Sequence, residues 1–240
     1  MFYLGRKLGL DLYIAALIGV LLAAFVGWAL ERFLYQPLRG RRASSMVLLV
    51  ASLGAFTAIQ AIIAIFFTSQ FQTLSALIPN AGVVHIGSAV MTDVQVVILA
   101  LSILVLIALW LTLSYTKFGR AVRAISDDEE VAKIVGINTE KIIGWVFVLG
   151  SGIAGAAGIL VGFDTGLEPT MGLALLLKGV IAAIIGGVGS IYGAFVGAFL
   201  LGFAENFGIW HISGEWKDAI AFVILILFLL FRPQGIMGKK

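Results

Sequence analysis

Side chains that could do chemistry are few in this chain, and most of them gather in one place. Ser126, Asp127, Asp128, Glu129 and Glu130 run consecutively inside the charged stretch Lys117–Lys141, KFGRAVRAISDDEEVAKIVGINTEK. Ser126 with Glu129 three residues on has capping-box spacing, in which the hydroxyl accepts from an early backbone N–H and the carboxylate reaches back to the cap. Four carboxylates in the first turn suit the positive end of a helix dipole, Lys133 suits the other end, and Gly136 offers a stop. Val131, Ile134 and Val135 give such a helix a small apolar face around Ala132. At about ten residues it is marginal alone in water and needs a surface to lean on. These signals fit a docking helix, and they fit equally a solvated helix between two membrane spans.

Catalysis finds little to work with elsewhere. The chain has no cysteine, hence no thiolate, disulfide or Cys-based metal site. His85 and His211 are far apart and lack metal-ligand spacing, so each reads as a polar loop or interface residue. Two charges stand inside apolar runs, Lys178 and Glu205. A lone Lys in a span costs about 3 kcal/mol on insertion scales, so it needs a watery path or a partner acid. Lys178 falls eight residues into its run and Glu205 five from the same side of the next, so their depths differ by only about 5 Å. A Lys178–Glu205 pair is therefore expected; the other readings are that Lys178 meets backbone carbonyls freed by a glycine-rich turn, or snorkels to the interface.

The elements that must hold these residues are membrane helices. Of 240 residues 61% are hydrophobic and 12% charged, against about a quarter charged in soluble domains. A net charge of +3 is too small to suggest nucleic acid as a partner. Uncharged apolar runs mark spans at Leu12–Leu30, Ala43–Phe67, Val94–Tyr115, Ile142–Phe163, Thr170–Gly187 (broken by Lys178), Ile191–Trp210 and Ala219–Phe231, the last beginning nearer Glu215. The expected fold is an all-α polytopic membrane protein of about seven transmembrane helices, forming one transmembrane domain over residues 1–240. A basic turn is expected at Glu31–Arg42, and an exposed loop at Thr68–Asp93 with a short extended piece near Val83–Ile86. Twelve Lys and Arg residues fall in the loops of one side, including Arg32, Arg39, Lys133, Lys141 and Arg232, which places that side and the C-terminus in the cytoplasm.

Glycine carries the rest of the pattern. Gly155 and Gly158 lie in a small-residue span, and Gly189, Gly193 and Gly197 recur every four residues in GGVGSIYGAFVG. Both sets suggest helix packing by close backbone approach, the second also a tight turn. A phosphate loop is excluded, since the Lys and Ser/Thr of that motif are missing.

The ordered set of segments resembles a known family. Glu130-Val131-Ala132-Lys133-Ile134-Val135-Gly136 is similar to the E-A-A-x-x-x-G loop of ABC importer permeases, with Val131 in place of the first Ala. ERFLYQPLRG, GRAVRAISDDEEVAKIVGIN, AGAAGIL, then Pro169, Gly172 and Lys178, then IIGGVGSIYGAFVGAFLLG with Glu205, and FRPQG resemble branched-chain amino acid permeases of the LivH/LivM type. Such permeases begin with a further hydrophobic segment bearing an NFAHG-like motif, which has no match here, so the chain reads as a fragment, a misassigned start or a shortened variant. The resemblance implies a multi-pass protein of the prokaryotic inner membrane, with a coupling helix formed by Ser126, Asp127, Asp128, Glu129, Glu130, Ala132 and Gly136. It further implies a second permease subunit, two cytoplasmic ATPase subunits holding ATP and Mg, and an external substrate-binding protein. This chain would hold no cofactor and would be no enzyme. Branched-chain or other hydrophobic amino acids are the implied cargo, with urea, amides or another small solute as the alternative. A channel or secondary transporter is the competing class; it calls for internal repeats or several intramembrane charges, and neither is visible.

Overall fold

The computed structural model describes residues 11–67, 70–73, 82–86, 89–211 and 213–238. The chain divides into two compact units, Met1–Pro169 and Thr170–Lys240. Among the described residues, five helices are long and apolar enough to cross a membrane: Leu12–Gly40, Ser45–Phe67, Asp93–Tyr115, Thr139–Thr165 and Ile191–Trp210. The protein is a helical polytopic membrane protein.

In the first unit, α1 (Leu12–Leu30) passes without a break into a π-helical turn, Glu31–Tyr35, and then α2 (Gln36–Gly40). The basic turn expected at Glu31–Arg42 is thus helical through Gly40, and the chain reverses only afterwards, where Arg42 takes φ +54°. The reason is Glu31. Only 3% of it is exposed, and Arg39, two turns on, donates to both of its carboxylate oxygens. That bond holds only while the intervening backbone stays wound. Pro37 lies in the first turn of α2, where a missing N–H costs little.

α3 (Ser45–Phe67) follows, then a two-stranded antiparallel hairpin, β1 (Val83–Ile86) and β2 (Ala89–Thr92), with Val83 opposite Thr92 and Ile86 opposite Ala89. β1 coincides with the extended piece expected there and carries His85. α4 (Asp93–Tyr115) opens with a complete capping box between Thr92 and Gln95. After it come α5 (Lys117–Asp127), α6 (Glu129–Ile134) and α7 (Thr139–Thr165).

The main packing of this unit sets α7 antiparallel to α1 through small residues. A Cβ added at Gly152 would sit 3.7 Å from that of Ala24, one at Gly155 would press on Ala23, and one at Gly27 would collide with Ser151. Such contacts let two backbones approach closely, the arrangement that holds helices together where lipid supplies no hydrophobic drive. At Gly158 a Cβ would meet nothing within 4 Å, so the packing role expected there is not met among the described residues.

The second unit contains α8 (Met171–Gly186), α9 (Ile191–His211, ending on the second histidine) and α10 (Lys217–Phe231), the last led in by a 3₁₀ turn at Gly214–Trp216. Ile181, Ala182, Ile185, Leu201 and Ala221 form its core, flanked by Ile224, Leu225, Phe228 and Ile236. Between α8 and α9 the chain turns through Gly187 (φ +106°) and Gly189 (φ +90°), and the Gly193 amide donates to Ser190 Oγ at 3.0 Å, capping α9. Gly189 is therefore a turn residue rather than part of a packing seam, because its left-handed φ is one that side chains rarely accept. Gly193 and Gly197 do pack: an added Cβ would run into the backbone of Gly186 at the first and of Ala182 at the second. The chain end then closes the last turn of α8, with Ile236 N–H donating to Ile185 O and Met237 N–H to Gly186 O, each at 2.9 Å. Two carbonyls left over at the helix end thereby gain partners.

Candidate functional site

The central charged stretch forms two helices with a corner between them. Ser126 and Asp127 lie inside α5, and the corner is Asp128, whose backbone is extended (φ −157°, ψ 113°). Asp128 Oδ1 accepts from Glu130 N–H at 2.8 Å and Val131 N–H at 3.0 Å, so Asp128 is the N-cap of α6. This corrects the Ser126–Glu129 capping box. α5 is continuous enough to swallow Ser126, since Thr116 caps its start and Arg123 donates back to Leu113 O, and a carboxylate two residues on offers a stronger, charge-assisted acceptor.

α6 is consequently shorter than the sequence suggests, six residues. Its end is a Schellman motif: Gly136 (φ +88°) donates to Lys133 O and Ile137 to Ala132 O, each at 3.0 Å. Glu129 and Lys133 pair at 2.7 Å along the outer face, and the hydrogen bond that Lys133 donates to Glu129 raises the Lys133 pKa. Ala132 turns inward at 2% exposure, while Ile134 is 82% exposed. Val131 and Val135 are exposed beside it. A fixed, doubly capped turn thus presents three aliphatic side chains outward.

Four residues beyond the Schellman glycine, Glu140 Oε2 accepts from Arg39 Nη2 at 3.1 Å. Arg39 therefore joins two acids, Glu31 of the π turn and Glu140 in the first turn of α7. Nothing in the sequence reading paired these residues. The only hint lay in spacing: Glu31 to Arg39 is two turns, but the partner acid is 101 positions away.

In the second unit Lys178 Nζ sits 3.2 Å from Glu205 Oε1 and 3.1 Å from Asp218 Oδ1. Lys217 Nζ lies 3.6 Å from Glu205 Oε2. The carboxylate of Glu205 is almost wholly buried, and two cations face it. Sequence reasoning brought Lys178 to Glu205; it did not pair Lys217 and Asp218, which directly precede the uncharged run Ala219–Phe231. The network spans α8, α9 and α10 and is neutral as a whole, two cations balancing two acids.

A family model described as "Branched-chain amino acid transport system / permease component" matches residues 1–229. The chain belongs to this permease family. Among its curated relatives, the high-affinity branched-chain amino acid transport system permease protein LivH of Escherichia coli K12 is 34% identical over 98% of this chain and 78% of its own length. BraD of Pseudomonas aeruginosa, described in the same words, is 34% identical over 92% of this chain and 72% of its own. More distantly, the fructose import permease protein FrcC of Rhizobium meliloti is 30% identical over 60% of this chain and 41% of its own. No solved structure matches. As a permease of this family, the protein is a multi-pass inner-membrane transport component, which accounts for a fold made of apolar helices. The helix α6 of the permease carries the E-A-A-like segment, and its Val131, Ile134 and Val135 side chains are exposed.

Proposed function

We propose that this chain is the translocation subunit of an ABC importer that carries branched-chain or other hydrophobic amino acids inward, and that α6 is the element through which ATP hydrolysis on partner subunits drives it. The observation that carries the reading is α6 itself: capped by Asp128, closed by Gly136, and exposing Val131, Ile134 and Val135. A capped turn with an aliphatic face is a stiff lever that seats in a groove, and motion of the groove biases the helices attached to it.

On this reading α8 and α10, at 16 and 15 residues, join the five long helices to give seven spans. The Lys/Arg bias puts α6 and the C-terminus in the cytoplasm. A second permease subunit completes the pore, two ATPases hold ATP and Mg, an external binding protein delivers cargo, and this chain does no chemistry itself. Hydrophobic amino acids are favoured over a sugar-like solute because the LivH and BraD likeness runs along nearly the whole chain, whereas the likeness to FrcC covers a smaller part of it.

The test is Ile134→Glu with Val131→Glu. Both positions are exposed, so the fold is retained, and co-purification with the ATPase subunits and leucine uptake are expected to fall together. Normal ATPase capture and normal uptake in the membrane-inserted double variant would overturn the role of α6. Retained ATPase capture and ATP-driven uptake with no leucine preference would overturn only the cargo.

A further inference from the structure

Between the charged ends of α1 and α7 lies a cavity of about 440 Å³, lined among others by Trp28, Arg32, Lys141 and Trp145. These four residues form two matched pairs, each four positions apart on its own helix, so that each pair shares a face. The helices run antiparallel, so both pairs present the same order to the cavity: cation at the outer end, Trp one turn deeper. The depth is set by the chain. The uncharged run of α1 ends at Leu30 and that of α7 begins at Ile142, which puts the Trp rings at the membrane boundary and the cations just beyond it. Trp at headgroup depth with Lys or Arg outside is the pattern of a residue set facing lipid headgroups.

The charges decide which headgroup. Two acids, Glu31 and Glu140, also line the cavity, but both are held by Arg39. Arg32 donates only to the neutral amide oxygen of Gln36, at 2.6 Å, and Lys141 is in no ion pair among the described residues. The cations are thus uncommitted and the acids are not. Arg39 bonds both oxygens of Glu31 and one of Glu140, so the acids offer less free charge to the ammonium group of a zwitterionic amino acid than the two open cations offer to a phosphodiester. The rings of Trp28 and Trp145 stay partly exposed, which leaves the cavity open on the side from which acyl chains would enter.

We propose that this cavity binds the phosphate of an anionic phospholipid, clamped between Arg32 and Lys141 with the glycerol backbone against Trp28 and Trp145. The site shares no residue with α6 or with the Lys178 network, and it does not depend on which solute is carried.

The test compares the full chain with Arg32→Gln/Lys141→Gln, both purified in mild detergent and analysed by native mass spectrometry after titration with phosphatidylglycerol or phosphatidylcholine. Phosphatidylglycerol retention is expected to be about thirtyfold lower in the double variant, roughly fivefold for each cation removed, with phosphatidylcholine retention unchanged. Equal phosphatidylglycerol retention by the two proteins would overturn the proposal. So would displacement of the lipid by millimolar inorganic phosphate, which would make the site one for a free anion, or its loss on formation of a chain dimer, which would make the face an interface between copies. The melting temperature in phosphatidylcholine is the folding control. If it drops, the single Lys141→Gln, whose side chain is exposed and makes no ion pair, carries the same comparison at a fivefold effect.

Discussion

Lys178 and Glu205 meet across α8 and α9, with Nζ 3.2 Å from Oε1, and the acid is 5% exposed. A buried carboxylate is stable only while its cations stay, because removing one partner leaves a charge without compensation. Lys178→Met is therefore expected to destabilise the protein by about 3 kcal/mol, the lower end for buried pairs, since Lys178 keeps some exposure and Lys217 stands by. Glu205→Gln costs less, and the double variant costs less than the two added together. Thermal unfolding in detergent measures the cycle; strict additivity would show that the two residues do not act as a pair.

The four-residue glycine repeat splits into a turn and a seam, and the two respond differently to bulk. Gly197→Leu is expected to lower folded yield sharply, because a side chain there runs into the backbone at Ala182. Gly158→Ala, which meets nothing within 4 Å, is expected to leave thermal stability the same or raise it by up to about 1 kcal/mol. Equal sensitivity at the two positions would be incompatible with the packing described.

α1 and α7 approach so closely that they are expected to move as one body. The chain contains no cysteine, so an Ala24→Cys/Gly152→Cys pair can be read without background. The separation of 3.7 Å between the two Cβ positions suits a disulfide. The cross-link is expected to form with mild oxidant and to leave uptake at the rate of the reduced protein. Uptake that stops on oxidation and returns with reductant would show that the two helices slide during transport.

Asp128, not Ser126, caps α6. Asp128→Ala is expected to cost about 1 kcal/mol of local stability and to weaken ATPase capture, while Ser126→Ala changes neither. Hydrogen exchange of the amides of Glu130 and Val131 reads the cap directly. The reverse ranking of the two variants would restore the capping box read from sequence.

The Glu129–Lys133 pair sets a pH expectation for the same helix. Its bond to Glu129 raises the Lys133 pKa. The contribution of Lys133 is therefore complete below the ordinary lysine pKa and is lost only as pH rises through the raised one. Titration of this lysine leaves ATPase capture unchanged across neutral pH, and capture should weaken only in strongly alkaline buffer. Loss near neutrality in the wild type but not in Lys133→Met would contradict this.

Long apolar runs determined the membrane class and most span limits by themselves, because each helix must satisfy its own backbone in lipid and the run length is fixed by the bilayer. Local chemistry likewise determined that Gly136 ends α6, since a left-handed residue is needed where that helix stops. Depth along adjacent spans was enough to bring Lys178 to Glu205. Tertiary structure decided the rest. Glu31–Arg42 looked like a basic turn because its charges were read as solvated; it is helical because Arg39 finds both Glu31 and the distant Glu140, and no local window contains that pair. Gly158 and Gly189 shared spacing with true packing glycines, but spacing fixes only the face of a helix, and whether another backbone lies against that face depends on how the helices assemble. Ser126 had the right neighbours for a cap and lost the role to Asp128, because α5 continued past it. Where a helix stops is a competition between packing and caps, and here the packing of α5 against the end of α4 won.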